Sequence, residues 1–179
     1  MSIKKISSEV IHQNPWWVYY HDTFEKSDGS RGDYYYGANP GFGFSMVVPF
    51  MDDGRLLLVR QFRYLKEKYS IQFPGGGIDA GETPHEAATR ELKEEGGSEA
   101  GELVSVGSFE SCSGLLKDEG HIFIGKNIQK IEGQIDEPTG ATEVLYRRPD
   151  EFEDMINRGE IWDGQTLAAW LLARRYIVK

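Results

Sequence analysis

The sequence of 179 residues has a single cysteine, no long apolar run and fewer positive than negative charges. The one cysteine, Cys112, excludes an intramolecular disulfide framework and is typical of a reducing compartment. No apolar stretch approaches the roughly 20 residues of a membrane-spanning helix, and the opening MSIKKISSEV has no signal-peptide core. We therefore expect a cytoplasmic protein that has no membrane partner.

The charge balance excludes one class of ligand and points to another. Twenty Lys and Arg residues face 29 Asp and Glu residues, for a net charge of −9. A broad basic surface for long nucleic acid is not expected from such a chain. A small anionic substrate remains compatible with it, provided that a cation is recruited locally. The apolar fraction of 39% is that of a folded domain, and at this length about 70% of the unfolded surface is buried without help from metal or disulfide.

Periodicity and turn residues predict strands first and helices later. Aromatic residues at 16–24 and 34–36, separated by KSDGSRGD, predict an N-terminal hairpin, which we treat as an extension over residues 1–40. The apolar runs 44–50 and 56–59, joined by Asp-Asp-Gly, predict a central hairpin in a mixed sheet. Further strands are expected at 103–111, 120–125 and 143–147, and further helices at about 149–157 and 164–176. This order predicts an α+β fold, an α/β/α sandwich, for the main domain at 41–179.

The clearest helix is predicted at residues 84–96. Thr83 is a suitable N-cap, Pro84 occupies the first helical position, and Glu86 completes a capping box. Glu91, Glu94 and Glu95 follow at i, i+3 and i+4 and can project from one face. That face is either a solvated acidic surface or a cation site.

Two neighbours of the acidic face favour a cation site. Glu82 lies just before the helix and can pair with Arg90, which is embedded among the glutamates. The loop at 74–77 (PGGG) can bring a backbone carbonyl close to an ion, because glycine has no side chain in the way. Oxygen ligands of this kind suit Mg²⁺ or Mn²⁺ rather than Zn²⁺.

At these residues the sequence resembles the signature of the Nudix hydrolases. Gly76 is followed after five residues by Glu82, and after seven more by the run RELKEEGG at 90–97. Every fixed polar and glycine position of that signature is filled, and the one departure is Ser98, where an aliphatic residue is expected. The resemblance implies a Nudix fold with a loop–helix–loop catalytic motif.

The resemblance also extends to one branch of the family, the ADP-ribose pyrophosphatases and nucleoside diphosphate sugar hydrolases. The segments VRQFR at 59–63, QFPGGGI at 72–78 and GEIWDG at 159–164 carry it, together with the aromatic N-terminal hairpin. Residues 112–114 read Cys-Ser-Gly where that branch often has Ser-Pro-Gly. This departure leaves GDP-mannose or another nucleotide sugar open beside ADP-ribose.

The family resemblance implies a role for each residue of the signature. Glu91 and Glu95 would be the principal Mg²⁺ ligands, Glu94 would assist, and the Gly75 carbonyl would complete the set, with Mn²⁺ as a substitute. Arg90 and Glu82 would orient them. The alternative is that Arg90 and Glu82 form only a surface ion pair and have no role in catalysis.

Residues outside the signature are expected to activate water and to bind substrate. A carboxylate from a later loop would serve as base, and Glu143 is preferred over Asp118, Glu119 and Glu137 because it precedes a strand as the branch's pattern requires. Arg63 is the expected phosphate contact, whereas Arg60 is either a second contact or an exposed strand charge. The aromatic candidates for stacking on a base are Trp16, Trp17, Tyr35 and Tyr36. The alternative is that they form the core of the hairpin or the interface of a homodimer. In a homodimer of this branch, the same residues can form the interface and help to hold the base.

These residues predict a Mg²⁺-dependent pyrophosphatase that splits a nucleoside diphosphate sugar into a nucleoside monophosphate and a sugar phosphate. The alternatives are a Nudix pyrophosphatase for dinucleoside polyphosphates, coenzyme A or nucleoside triphosphates, and a nucleotide-sugar sensor that does not hydrolyse its ligand. The retained glutamates at 91, 94 and 95 argue against the sensor.

Overall fold

The computed structural model describes residues 3–41, 43–131 and 141–178, with backbone alone at 141 and 142. The chain begins with three strands, β1 (Ile3–Gln13), β2 (Val18–Lys26) and β3 (Arg31–Ala38). The elements that follow are β4 (Gly43–Pro49), β5 (Leu56–Arg63), a short 3₁₀ helix (Tyr64–Lys66), β6 (Lys68–Gln72), β7 (Gly75–Gly77), α1 (Pro84–Glu94), β8 (Ser98–Glu110), β9 (Glu119–Lys130), β10 (Ala141–Arg147), α2 (Pro149–Asn157) and α3 (Gly164–Ile177).

The N-terminal segment forms an antiparallel sheet in the order β1-β2-β3. It contains the expected hairpin, β2–β3, and one strand more than the sequence predicts. The pairing of β1 with β2 shifts register between Lys5 and Ser7 and again between Val10 and His12. These irregularities interrupt the alternation of side chains by which a strand is recognised.

Two further sheets make up the main body. A mixed sheet has the order β7-β4-β9-β8, in which β4 and β9 are parallel, and an antiparallel sheet has the order β10-β5-β6. The prediction that β4 and β5 form one central hairpin is wrong. The turn between them closes as expected, with the Met51 N–H donating to the Arg55 carbonyl at 2.8 Å. Only the bridge Phe50–Leu56 joins the strands, because β4 is buried along its whole length and takes β7 and β9 as its neighbours.

Helices cover both sides of these sheets. Because side chains alternate along a strand, Val47 of β4 faces one way and Met46 and Val48 face the other. Val47 packs with Ala88 and Leu92 of α1, whereas Met46 and Val48 belong to the larger core that α2 and α3 cover. The result is the predicted α/β/α sandwich.

The helix bounds agree closely with the sequence-based expectations. α1 begins at Pro84 behind its Thr83 cap, and α2 and α3 lie where the two later helices are predicted. Within the part of the chain that the structure describes, no helix is long and apolar enough to cross a membrane.

Candidate active site

The start of α1 is held by the predicted capping box. Thr83 Oγ1 accepts a hydrogen bond from the Glu86 N–H at 3.2 Å, and Glu86 Oε2 accepts one from the Thr83 N–H at 2.8 Å. At the other end the chain turns away through Gly97, whose φ is +54°. The motif's unusual residue, Ser98, is buried and satisfies its hydroxyl by donating to the Gly96 carbonyl at 3.0 Å. The helix is therefore fixed at both ends, and the departure at Ser98 leaves no unpaired polar group.

Arg90 is the hub of the acidic face. Its Nε and Nη2 donate to the two carboxylate oxygens of Glu82, each at 3.0 Å. Its Nη1 donates to Glu91 at 2.6 Å and to Glu94 at 3.2 Å, and its Nη2 also reaches the Gly77 carbonyl at 2.9 Å. The Arg90 guanidinium holds the pKa of Glu82 below its usual range, and Glu82 in turn raises the pKa of Arg90. The predicted Glu82–Arg90 pair thus exists as a bidentate contact that fixes the arginine rotamer.

Glu91 and Glu95 are both buried beside the glycine strand β7. Burial raises the pKa of the Glu91 carboxyl, although Arg90 opposes the shift. A Cβ built on Gly76 would lie 2.3 Å from Glu91 Oε1, so only glycine allows this approach. Glu95 Oε2 accepts a hydrogen bond from the Gly75 N–H at 2.9 Å. The strand and the two carboxylates therefore form one packed unit.

The donor set of this unit fits a hard divalent cation. Carboxylate oxygens surround a backbone that has no side chains, and such oxygens are the ligands that Mg²⁺ prefers. Among the residues described, no three acidic, histidine or cysteine side chains already converge on a cation-sized centre. Glu91 and Glu94 turn to Arg90, and Glu95 turns to the Gly75 amide. These side chains would have to rotate before they could ligate one ion together.

An open cavity of about 1090 Å³ lies next to this unit. Its walls come from the β5 end and the 3₁₀ helix, the end of β8 and the start of α3, with Trp17 of the N-terminal segment. Arg63 and Gln61 line it, and Gln61 Nε2 also donates to Glu95 Oε1 at 3.3 Å. Asp163 caps α3 at the cavity wall by accepting from the Thr166 N–H at 2.8 Å. The cavity thus meets the acidic face through one residue, Gln61.

Glu143 and Arg60, two further residues of the predicted site, lie away from the acidic face of α1. Glu143 lies opposite Arg60 in the β10–β5 register, and the two side chains form an ion pair at 3.6 Å. Arg60 also lies over the Tyr69 ring, 4.0 Å from its centroid. Because alternation puts Arg60 and Gln61 on opposite faces of β5, Glu143 does not join the carboxylates of α1 in this conformation.

The aromatic candidates also separate. Trp17 lines the large cavity, whereas Trp16 is highly exposed and is absent from the cavity wall. Tyr36 stacks on Tyr20 with centroids 5.0 Å apart, and Tyr35 stacks on His21 at 4.5 Å. Within one chain, only Trp17 of this group is next to Arg63.

Sequence reasoning missed the roles of Gln61, Gln72 and Trp162. Gln61 and Gln72 are buried polar residues of β5 and β6, and Trp162 forms part of the cavity wall. The two glutamines belong to segments that carry the family resemblance. A polar residue at a buried strand position is the signal that could have singled them out.

Comparison with known proteins agrees with this geometry. A model of the NUDIX domain matches residues 41–169. The ADP-ribose pyrophosphatase of Bacillus subtilis (strain 168) is 28% identical over 129 residues, which cover 71% of this chain and 69% of that protein. The ADP compounds hydrolase NudE of Escherichia coli (strain K12) is 29% identical over 134 residues, which cover 74% of this chain and 70% of that protein.

A solved structure described as an ADP compounds hydrolase has the same fold. It superposes with a TM-score of 0.84 at 23% identity and covers 98% of this chain and 94% of its own. The matched family model spans most of the chain and includes the glycine strand, α1 and the cavity-lining residues other than Trp17. The chain therefore belongs to the Nudix family of pyrophosphatases, as the resemblance of residues 76–97 implied.

Proposed function

We propose that this Nudix pyrophosphatase hydrolyses the pyrophosphate bond of ADP-ribose or a related nucleoside diphosphate sugar in the cytoplasm. The products are a nucleoside monophosphate and a sugar phosphate. The observation that carries the proposal is the cavity of about 1090 Å³, whose wall contains Arg63 and Trp17 and whose lining residue Gln61 donates a hydrogen bond to buried Glu95. Two relatives named for ADP-ribose and ADP compounds support the same substrate class.

The acidic face would hold Mg²⁺, with Mn²⁺ as a substitute. Glu91, Glu94, Glu95 and the Gly75 carbonyl are the proposed ligands. When bound, the cation neutralises phosphate charge and lowers the pKa of a bound water. Arg90 holds Glu91 and Glu94, and Glu82 holds Arg90. These contacts keep Glu91 and Glu94, whose charges repel each other, on one side of the helix.

The cavity would hold the substrate. The Arg63 guanidinium can meet a phosphate with two parallel hydrogen bonds. Trp17 offers a ring on which a nucleobase can stack, a contact that tolerates any base. The cavity of about 1090 Å³ is slightly larger than the roughly 300–1,000 Å³ that is usual for a small-molecule site. This arrangement fits a ligand that has both a nucleobase and a phosphate.

The N-terminal sheet would mediate a homodimer. All eleven residues of β1 are exposed, including Ile3, Ile6, Val10 and Ile11. Exposed apolar side chains on this strand support an interface between subunits. In such a dimer Trp16 would be available to the cavity of the second subunit.

Hydrolysis assays test the proposed function directly. The purified protein is incubated with Mg²⁺ and a panel of ADP-ribose, GDP-mannose, UDP-glucose, diadenosine polyphosphates and nucleoside triphosphates. Release of monophosphate from the diphosphate sugars, lost in Glu95→Gln, is the expected result. Glu99→Gln is the matched control, because Glu99 is an exposed carboxylate paired with Lys93 at 3.8 Å.

Other outcomes would replace this assignment. Turnover of polyphosphates or triphosphates alone would keep the chemistry and overturn the substrate. Tight binding of a diphosphate sugar without turnover would identify a sensor.

A further inference from the structure

Two buried glutamines connect the cavity arginine to a glutamate of α1. Arg63 Nε and Nη2 donate to Gln72 Oε1 at 3.1 and 2.7 Å. Gln72 Nε2 donates to Gln61 Oε1 at 2.9 Å, and Gln61 Nε2 donates to Glu95 Oε1 at 3.3 Å. The four side chains form a continuous hydrogen-bonded chain, which we call the glutamine relay.

The ends of the glutamine relay determine how both amides point. A guanidinium only donates hydrogen bonds, and an ionised carboxylate only accepts them. Gln72 must therefore turn its oxygen to Arg63 and its NH₂ to Gln61. Gln61 must in turn face Glu95 with its NH₂. Reversing either amide would place two donors or two acceptors against each other.

The glutamine relay is costly to bury unless it is complete. Gln72 is 0% exposed at the end of β6, and Gln61 is 4% exposed in β5, two residues after the buried apolar run 56–59. A buried amide that loses its partner forfeits its hydration without compensation. Breaking one contact therefore favours movement of the residues on both sides. A change at Gln72 is transmitted to Glu95, which it does not touch.

The two ends of the glutamine relay serve different parts of the proposed site. Glu95 is a proposed metal ligand, and Arg63 is the proposed phosphate contact. The Arg63 guanidinium has five N–H groups and gives two to Gln72, so others remain for an anion. At the far end, Glu95 Oε2 is held by the Gly75 amide and Oε1 by Gln61.

We propose that Gln72 and Gln61 are positioning residues that set the rotamers of Glu95 and Arg63 together, and so couple metal binding to substrate binding. This inference rests on the proposed function, because it takes Glu95 as a cation ligand. Hydrogen-bond partners of metal ligands commonly change metal affinity or activity by roughly 10–100-fold when they are removed. Gln72 does not contact Glu95, the proposed ligand, so its effect on the cation would pass through Gln61.

The first variant cuts the glutamine relay at its centre. Gln72→Met keeps the length of the side chain and removes all three of its hydrogen bonds, two from Arg63 and one to Gln61. We expect Mn²⁺ affinity, measured by electron paramagnetic resonance titration without substrate, to fall by about tenfold. The KM for ADP-ribose should rise by a similar factor, because Arg63 loses its support.

The second variant separates the two ends and guards against misfolding of the first. Gln72→Glu keeps an acceptor for Arg63 and forms an ion pair with it, but it cannot donate to Gln61. We expect weaker Mn²⁺ binding, as in Gln72→Met, with KM within about twofold of the wild type. This split between metal affinity and KM would not arise from a general loss of packing.

Two control variants make the comparison specific. Gln129→Met makes the same chemical change at an exposed position of β9. Ser70→Ala removes a buried hydroxyl directly opposite Gln61 in the β5–β6 register, and this hydroxyl has no hydrogen-bond partner among the described residues. Neither control should change the Mn²⁺ affinity or the KM.

The outcomes separate this inference from the proposed function. If the wild type binds Mn²⁺ and hydrolyses ADP-ribose while both Gln72 variants match it in Mn²⁺ affinity and KM, the glutamine relay is structural only. The same conclusion follows if the variants lose thermal stability alone. If the wild type neither binds Mn²⁺ nor hydrolyses any member of the panel, the proposed function fails and the relay fails with it.

Discussion

Gly76 lies so close to Glu91 that a Cβ on the glycine would be 2.3 Å from the Glu91 carboxylate oxygen. The neighbouring Gly77 differs, because a Cβ there would meet only Asn39 Nδ2 at 3.6 Å. Neither glycine has a positive φ, so alanine can adopt the backbone conformation at both positions. The pair therefore separates the effect of a methyl group on Glu91 from a general effect on the β7 strand.

We expect Gly76→Ala to reduce hydrolysis of the diphosphate sugar by about 100-fold, because a displacement of about 1 Å in a reacting group has that effect. Mn²⁺ affinity should fall with it. Gly77→Ala should cause a much smaller loss, since its carbonyl still accepts from Arg90. Steady-state kinetics and the Mn²⁺ titration measure both variants. Equal losses at the two positions would contradict a specific role for the Gly76–Glu91 contact.

Trp17 and Trp16 provide a test of base stacking. Trp17→Ala should raise KM by about tenfold with little change in kcat, because stacking of a base on an aromatic ring is worth about 1–3 kcal/mol. Trp16 lies outside the cavity of its own chain, so Trp16→Ala changes KM only if a second subunit uses it. Kinetics of both variants, at concentrations where the oligomeric state is known, distinguish the two cases. An unchanged KM for Trp17→Ala would remove the stacking role.

Glu143 is the base that the family resemblance implies, and in this conformation its side chain lies beside Arg60, away from the carboxylates of α1. Its described contact is an exposed ion pair with Arg60, which is worth about 0–1 kcal/mol. Loss of a general base should lower kcat of Glu143→Gln by about 100-fold, which is within the usual range for this kind of catalysis. The melting temperature should stay unchanged, because the ion pair with Arg60 contributes little to stability. Glu99→Gln again serves as the control. A Glu143→Gln enzyme with near wild-type turnover would exclude this role.

His21 predicts a pH-dependent stability of the N-terminal sheet. Its ring nitrogens contact Glu9 and Asp33, each at 2.8 Å, and join all three strands. The hydrogen bond with Glu9, followed by that with Asp33, raises the pKa of His21 above its ordinary value of 6.5. Protonation of His21 therefore stabilises the folded state. Its stabilisation is complete below the ordinary pKa and is lost as the pH rises through the raised pKa.

Thermal unfolding of the wild type and of His21→Gln checks this sign. The melting temperature of the wild type should exceed that of the variant most at about pH 5.5, and the difference should shrink towards about pH 8.5. His12→Gln on the same sheet is the control for loss of a histidine. A difference that stays constant with pH would mean that protonation of His21 does not contribute.

The proposed homodimer can be tested at Ile11. Ile11→Glu adds a charge to an exposed apolar position of β1, and charge is disfavoured in the centre of an interface. We expect the wild type to have twice the mass of one chain by light scattering and the variant to shift towards a monomer. Leu171→Glu, at an exposed position of α3, is the matched control. A wild-type monomer at high concentration would refute the dimer.

The sequence predicts best what local signals determine. The ends of α1 follow from Thr83, Pro84, Glu86 and Gly97, which all act within one turn of the helix. The Glu82–Arg90 pair is also recognisable, since Glu82 lies just before the capped helix and Arg90 lies within it. A signature at fixed spacing identifies such a unit without knowledge of the rest of the fold.

Choices between distant partners are less accessible from the sequence. The neighbours of β4 are β9 and β7, which lie far along the chain, and nothing local shows that the turn to β5 joins two different sheets. For the same reason the glutamine relay could not be read from Gln61 and Gln72. Their contact depends on the register of β5 with β6 and on the position of α1.

The irregular pairing of β1 affects how readily strands from further copies of this protein can add to the edge of its sheet. β1 is the outermost strand of its sheet, and a long exposed edge strand is a template for addition of strands from other molecules. The two register shifts bend this edge, and Lys4 and Lys5 place charge along it. Both features disfavour the addition of further strands in series to this exposed strand of eleven residues.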